Sequence, residues 1–119
     1  MKKTLVLGAS TKENRYSNMA IKRLLSAGHA VVAIGNRSGV VNGIPIETGS
    51  PKLEAIDTVT LYLNPSRQVA YYDYIISLQP KRVIFNPGTE NYELVSLLKK
   101  HNIEGQLACT LVLLATDQY

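Results

Sequence analysis

Thr4-Leu5-Val6-Leu7-Gly8-Ala9-Ser10, followed closely by Arg15-Tyr16-Ser17, is the stretch that decides the fold. An apolar run that ends in a glycine turn and gives way to a helix start is a strand–turn–helix unit of an α/β sheet. The glycine lets an anion approach the backbone, and the helix end offers unpaired N–H groups and a partial positive charge. The stretch therefore predicts a site for a ligand that carries phosphates. Gly8 and Ser10 do not complete a G-x-G-x-x-G fingerprint, because Lys12 and Glu13 occupy the later positions.

Working outward, the pattern continues to alternate. Residues 3–8 read as a buried strand, and Ser17 as the N-cap of a helix over 18–27, with Ala20, Leu24 and Ala27 on one face and Gly28 as its stop. A second buried strand spans 30–34. Val41-Asn42-Gly43-Ile44 predicts a hairpin turn leading into an extended segment at 44–48, and Ser50-Pro51 a short helical turn. The β-branched run 58–63 is the next strand. Asn64-Pro65 opens a helix over 66–78 with Val69, Tyr72 and Ile76 on one face. A strand at 82–85 stops at Asn86-Pro87-Gly88. It is followed by a helix over 91–101 burying Leu94, Val95, Leu97 and Leu98, a strand at 103–107, and a last helix after Cys109. Strands alternating with helices imply right-handed crossovers. The expected fold is α/β, a Rossmann-like three-layer sandwich with a mostly parallel sheet.

Length and composition set the outer limits. At 119 residues the chain is expected to form one domain over 1–119. Its apolar runs are too short to cross a membrane. Met1-Lys2-Lys3 begins like a secretory signal, but the apolar stretch breaks at Gly8 and cations follow. A single cysteine rules out an intramolecular disulfide and a cysteine-based zinc cluster, which fits a cytoplasmic location. The net charge of +4 points to an anionic partner. The cations are dispersed rather than clustered, so nucleic acid is not the expected one.

In a doubly wound sheet ligands sit beyond the carboxyl ends of the strands, where the strand order reverses. Four loops are expected there: Gly8 to Ser17, Gly35 to Ser38, Leu63 to Ser66, and Asn86 to Gly88. In the first, Gly8, Ser10 and Thr11 lead to Lys12, Arg15 and Ser17, which add charge and hydroxyl donors, and Arg15 suits a bidentate grip on phosphate. The end of the second strand discriminates between ligands. NAD requires an acidic residue there for the ribose hydroxyls, whereas this chain has Asn36-Arg37. Arg37 favours an extra ribose phosphate, as in NADP or coenzyme A. Asn64-Pro65-Ser66 and Asn86-Pro87-Gly88 read first, each by itself, as helix caps and loop punctuation, and together, at the mouth of the sheet, as contacts for a pantetheine or nicotinamide arm.

Gly8-Ala9-Ser10, Arg15, Ser17, Gly28, Asn36, Gly43, Leu63-Asn64-Pro65 and Cys109 together resemble the small stand-alone CoA-binding proteins, which look like the N-terminal CoA-binding domain of the succinyl-CoA synthetase alpha subunit. The resemblance implies that Gly8, Ala9, Ser10, Lys12, Arg15 and Ser17 cradle the CoA phosphates. It also implies that Asn36 and Arg37 lie near the adenosine, and that Leu63, Asn64, Pro65, Asn86 and Gly88 line the arm. Glu13 and Arg37 depart from it, standing where many relatives have proline.

No catalytic or metal-binding set is expected. His29 and His101 precede strands, away from the mouth, and only Glu13 and Glu90 bring carboxylates near it. Cys109 follows a strand, where it either packs as a structural cysteine or meets a CoA thiol. Three readings stay open: a non-catalytic module that binds CoA or acyl-CoA, an NADP-dependent oxidoreductase or sensor, and an interaction subunit completing a split acyl-CoA synthetase. A protein partner or a homo-oligomer fits the last.

Overall fold

In the computed structural model, which describes every residue from Met1 to Tyr119, the alternation of the sequence becomes one seven-stranded sheet. Its strands are β1 (Thr4–Leu7), β2 (Val31–Ile34), β3 (Gly39–Val41), β4 (Ile44–Glu47), β5 (Thr58–Leu61), β6 (Arg82–Phe85) and β7 (Glu104–Leu107), in the order β3-β4-β2-β1-β5-β6-β7. Every neighbouring pair is parallel except β3 and β4. Those two form the expected hairpin, in which Asn42 and Gly43 both take positive φ, 48° and 82°, as a type I′ turn requires.

All four residues of β1, β5 and β6 are buried, as befits parallel strands covered on both faces. Alternation along β1 divides its side chains between two cores. Leu5 and Leu7 join Ile75 of α3 (Tyr72–Leu78) and Leu94 and Leu98 of α4 (Tyr92–Lys100), below the sheet. Val6 joins Ile21 and Leu24 of α1 (Tyr16–Ser26) above it. There α1 packs against α5 (Thr110–Ala115). Each fully buried side chain of this kind contributes roughly 1.5–3 kcal/mol, so the period-2 strands and period-3.6 helices fix the three layers. Helix α1 ends as read: with Gly28 at φ 86°, the His29 N–H reaches Leu24 O and the Gly28 N–H reaches Leu25 O, a Schellman ending. Asn102 does the same for α4.

Four local expectations are corrected. Helix α1 begins at Tyr16, so Ser17 is buried inside its first turn and is no N-cap. The loop closes on itself when the Arg15 N–H donates to Lys12 O, which starts the winding two residues early. No helical turn forms at Ser50-Pro51. The segment is tied down instead by Tyr74 Oη donating to Pro51 O and by Lys3 Nζ donating to Glu54 O. The helix expected at 66–78 is three pieces, α2 (Pro65–Gln68), a 3₁₀ turn (Val69–Tyr71) and α3, and the change of winding turns Val69 out to solvent at 56% exposure while Gln68 and Ile75 are buried. In α4, Leu94 and Leu98 are buried, whereas Val95 and Leu97 only flank the core.

The strand order carries the functional consequence. The chain leaves β1 toward β2 on one side, then crosses to β5 on the other. The loops after β1 and β5 therefore diverge and leave a crevice.

Candidate functional site

A cavity of about 610 Å³ opens over that crevice. Its walls are Gly8 to Lys12 and Arg15 to Ser17 after β1, Asn36 and Arg37 after β2, Tyr62 to Asn64 and Arg67 after β5, and Pro87 to Thr89 after β6. All four expected loops contribute. Of the residues named from the sequence, Gly8, Ala9, Ser10, Thr11, Lys12, Arg15, Ser17, Asn36, Arg37, Leu63, Asn64 and Gly88 are brought together here.

The floor depends on two missing side chains. Gly8 has φ 100°, and a Cβ there would lie 3.0 Å from the Tyr62 carbonyl carbon. A Cβ on Gly35 would lie 2.3 Å from Ala9 O, so the end of β2 and the first loop approach at a distance only glycine permits. The Gly8 and Ala9 N–H groups both donate to Ile34 O, at 2.8 and 2.9 Å. Further along, the Lys12 N–H donates to Ser10 Oγ (3.1 Å), and Asn18 Nδ2 donates to Ser10 O (3.0 Å). The Tyr16 and Ser17 N–H groups make no hydrogen bond within the chain, so the start of α1 presents free donors to the cavity.

Charge is distributed one-sidedly. Lys12, Arg15, Arg37 and Arg67 line the cavity, and no carboxylate does. None of the four takes part in an ion pair. Glu13, which the sequence puts in the same loop, turns away to pair with Lys22 at 3.6 Å. Tyr16 stands 69% exposed at the rim with an apolar ring available to a ligand. Burial pushes the Tyr62 phenol up to about 12, so it forms a neutral part of the wall.

The two lips on the β5 and β6 side are joined by Gln68, which is fully buried. Its Nε2 donates to Leu63 O and to Thr89 O, both at 2.8 Å, while its Oε1 accepts from Asn91 Nδ2 at 3.0 Å. Asn64 caps α2, accepting the Arg67 N–H at 3.1 Å, and Pro65 takes the first helical position outside the cavity wall.

Asn86 also lies outside the wall and is 2% exposed. Its Nδ2 donates to Thr60 Oγ1 (2.7 Å) and Leu61 O (2.9 Å), and its Oδ1 accepts the Thr110 N–H (2.8 Å). That side chain ties β5, β6 and α5 together, leaving Pro87, Gly88 and Thr89 to face the cavity. Cys109 is half-buried and is not in the wall. His29 sits at the opposite pole, its Nδ1 accepting the Lys2 N–H at 2.9 Å. Tyr62, Arg67 and Thr89 line the cavity from outside the four loops expected from the sequence. Arg67 had a usable signal, since it lies three residues after the Asn64 cap and hence one helical turn above the same lip.

No helix is long and apolar enough to cross a membrane. A family model described as a CoA binding domain matches residues 2–115. A protein of uncharacterised function with a crystal structure is 50% identical, with a TM-score of 0.98 over 100% of this chain and 98% of that one. A Thermus thermophilus protein shares 20% identity, with a TM-score of 0.85 over 99% of this chain and 90% of that one. The dinucleotide-forming acetyl-coenzyme A synthetase 1 of Ca. Korarchaeum cryptofilum, solved with phosphate and ADP, shares 18% identity, with a TM-score of 0.74 over 92% of this chain but 26% of its own length. The last two share the fold alone. No curated protein matches. With its family model spanning nearly the whole sequence, and its switch-point cavity ringed by cations, the chain belongs to the CoA-binding domain family.

Proposed function

We propose that this protein holds coenzyme A, or an acyl-CoA, in the crevice between β1 and β5 without supplying catalytic groups of its own. The observation that carries the reading is the wall itself: four unpaired cations and the free N–H groups of α1, with no carboxylate, histidine or cysteine among the lining residues. Such a surface attracts and orients phosphates and offers no proton donor–acceptor pair for acid–base chemistry. In this reading the pyrophosphate lies on the Gly8–Ser17 loop, the ribose phosphate meets Arg37, and the pantetheine arm runs along Leu63, Asn64 and Gly88. Membership of the family favours CoA over NADP, which Arg37 alone does not separate.

Calorimetric titration tests it. At low salt CoA is expected to bind with measurable heat, and dephospho-CoA, which lacks the ribose phosphate, to bind more weakly. Absence of heat with CoA overturns the reading.

A further inference from the structure

We infer that Arg67 is a second pyrophosphate-gripping arginine, closing on the diphosphate from the wall opposite Arg15. The inference rests on the CoA reading of this cavity and deepens it by assigning which chemical group the β5 side recognises. Arg15 stands at the start of α1, the helix that follows β1, and Arg67 on α2, the helix that follows β5. These strands are hydrogen-bonded neighbours, one strand spacing of about 4.8 Å apart. The two arginines thus line the switch-point crevice on the elements that follow its two flanking strands. Both line the cavity, and neither is in an ion pair.

The position of Arg67 is pinned from below. Its own N–H donates to Asn64 O (3.0 Å) and to Asn64 Oδ1 (3.1 Å). The next residue, Gln68, is buried and fastened to both Leu63 O and Thr89 O. The backbone under Arg67 is therefore fixed while its side chain is left uncommitted. Some cations of the chain are used internally, as when Lys22 pairs with Glu13 and Arg82 donates to Thr58 and Gln106. Two guanidinium groups brought toward one crevice with no carboxylate between them repel each other unless an anion lies there. A diphosphate offers two charged groups and the acceptor oxygens for two bidentate contacts.

The test uses the full chain and three probes: CoA, 4′-phosphopantetheine and inorganic pyrophosphate. Arg67→Ala is expected to weaken CoA and pyrophosphate about 10- to 100-fold, the effect of losing a charge-assisted hydrogen-bonded contact. It should weaken 4′-phosphopantetheine, which has one phosphate, by less. Arg67→Lys keeps the charge but loses the fork and should recover only part of the loss. The melting temperature without ligand should stay at the wild-type value, because the Arg67 side chain is exposed and makes no hydrogen bond or ion pair. CoA binding by Arg67→Ala equal to wild type overturns the clamp while leaving the CoA reading intact. Binding of pyrophosphate but not CoA by the wild-type protein, with the pyrophosphate lost in Arg67→Ala, supports the clamp and overturns the CoA reading. Failure of the wild-type protein to bind either probe overturns both.

Discussion

The two ends of the sheet hold similar side chains and treat them in opposite ways. At the amino-terminal pole, Arg82 is 9% exposed and each of its three guanidinium nitrogens has a partner. Its Nε donates to Thr58 Oγ1, one terminal nitrogen to Gln106 Oε1 and the other to the Tyr119 main-chain oxygen, each at 3.0 Å, and its guanidinium lies 4.4 Å from the centre of the Tyr119 ring. Lys2 donates to the same Tyr119 oxygen, and Tyr119 Oη meets Thr4 Oγ1. At the carboxyl pole, Lys12, Arg15, Arg37 and Arg67 line an open cavity without a protein counter-ion. The difference separates cations consumed by the fold from cations left over for a ligand. It is drawn by the partners the backbone brings to each group, since residue type is the same at both ends.

The largest expected effect comes from breaking the closed pole. Arg82→Met removes three hydrogen bonds, leaves Gln106 Oε1 without its partner and takes the cation from the Tyr119 ring, and should cost about 3 kcal/mol of stability. Urea denaturation should show the lower midpoint, and CoA affinity of the folded variant should match wild type; a loss of affinity with unchanged stability would blur the division between the poles. Next comes the open pole. Arg37→Ala should leave the urea midpoint within about 0.5 kcal/mol of wild type. The same change should weaken CoA by about 2 kcal/mol with dephospho-CoA nearly unaffected. Equal losses for the two ligands would move Arg37 away from the ribose phosphate.

The smallest effect is one of pH. Burial, and then the nearby amino terminus, Lys2 and Arg82, hold His29 below its ordinary value of 6.5. The folded state thus favours neutral His29, whose Nδ1 accepts the Lys2 N–H. As pH falls through about 6.5 the unfolded chain takes up the proton first, so stability declines there and levels off below the lowered folded value. Above that window the contribution is constant. The decline should be a few tenths of a kcal/mol because the ring is largely solvated. Urea midpoints across the window should lose this slope in His29→Gln, and a persistent slope would assign it to another group.

Which parts of the molecule could be read in advance follows from what each residue depends on. The strands at 4–7, 58–61 and 82–85 declare themselves because both faces are buried and polar interruptions are few. The hairpin turn was visible at Asn42-Gly43, but β3 was not, since Gly39-Val40-Val41 is too short to show a period. Val69 was placed on the buried face because a single helical period was carried across a stretch that changes winding at the 3₁₀ turn. The Gly8 loop was legible through local chemistry. Thr89 was not, because it is held at the cavity by the buried bond from Gln68, a contact between segments 21 residues apart. Asn86 misled in the opposite direction, its amide being absorbed by Thr60, Leu61 and Thr110.

Gln68 has a consequence for how a ligand arrives. Because one amide nitrogen holds the lip at Leu63 and the lip at Thr89 together, those lips cannot part without breaking a buried hydrogen bond to one of them. That edge of the mouth is therefore set before a ligand arrives, and less conformational freedom is left there to be lost on association. Arrival is then governed by long-range attraction between its phosphates and the rim cations. The association rate should fall steeply with added salt, while the dissociation rate changes little.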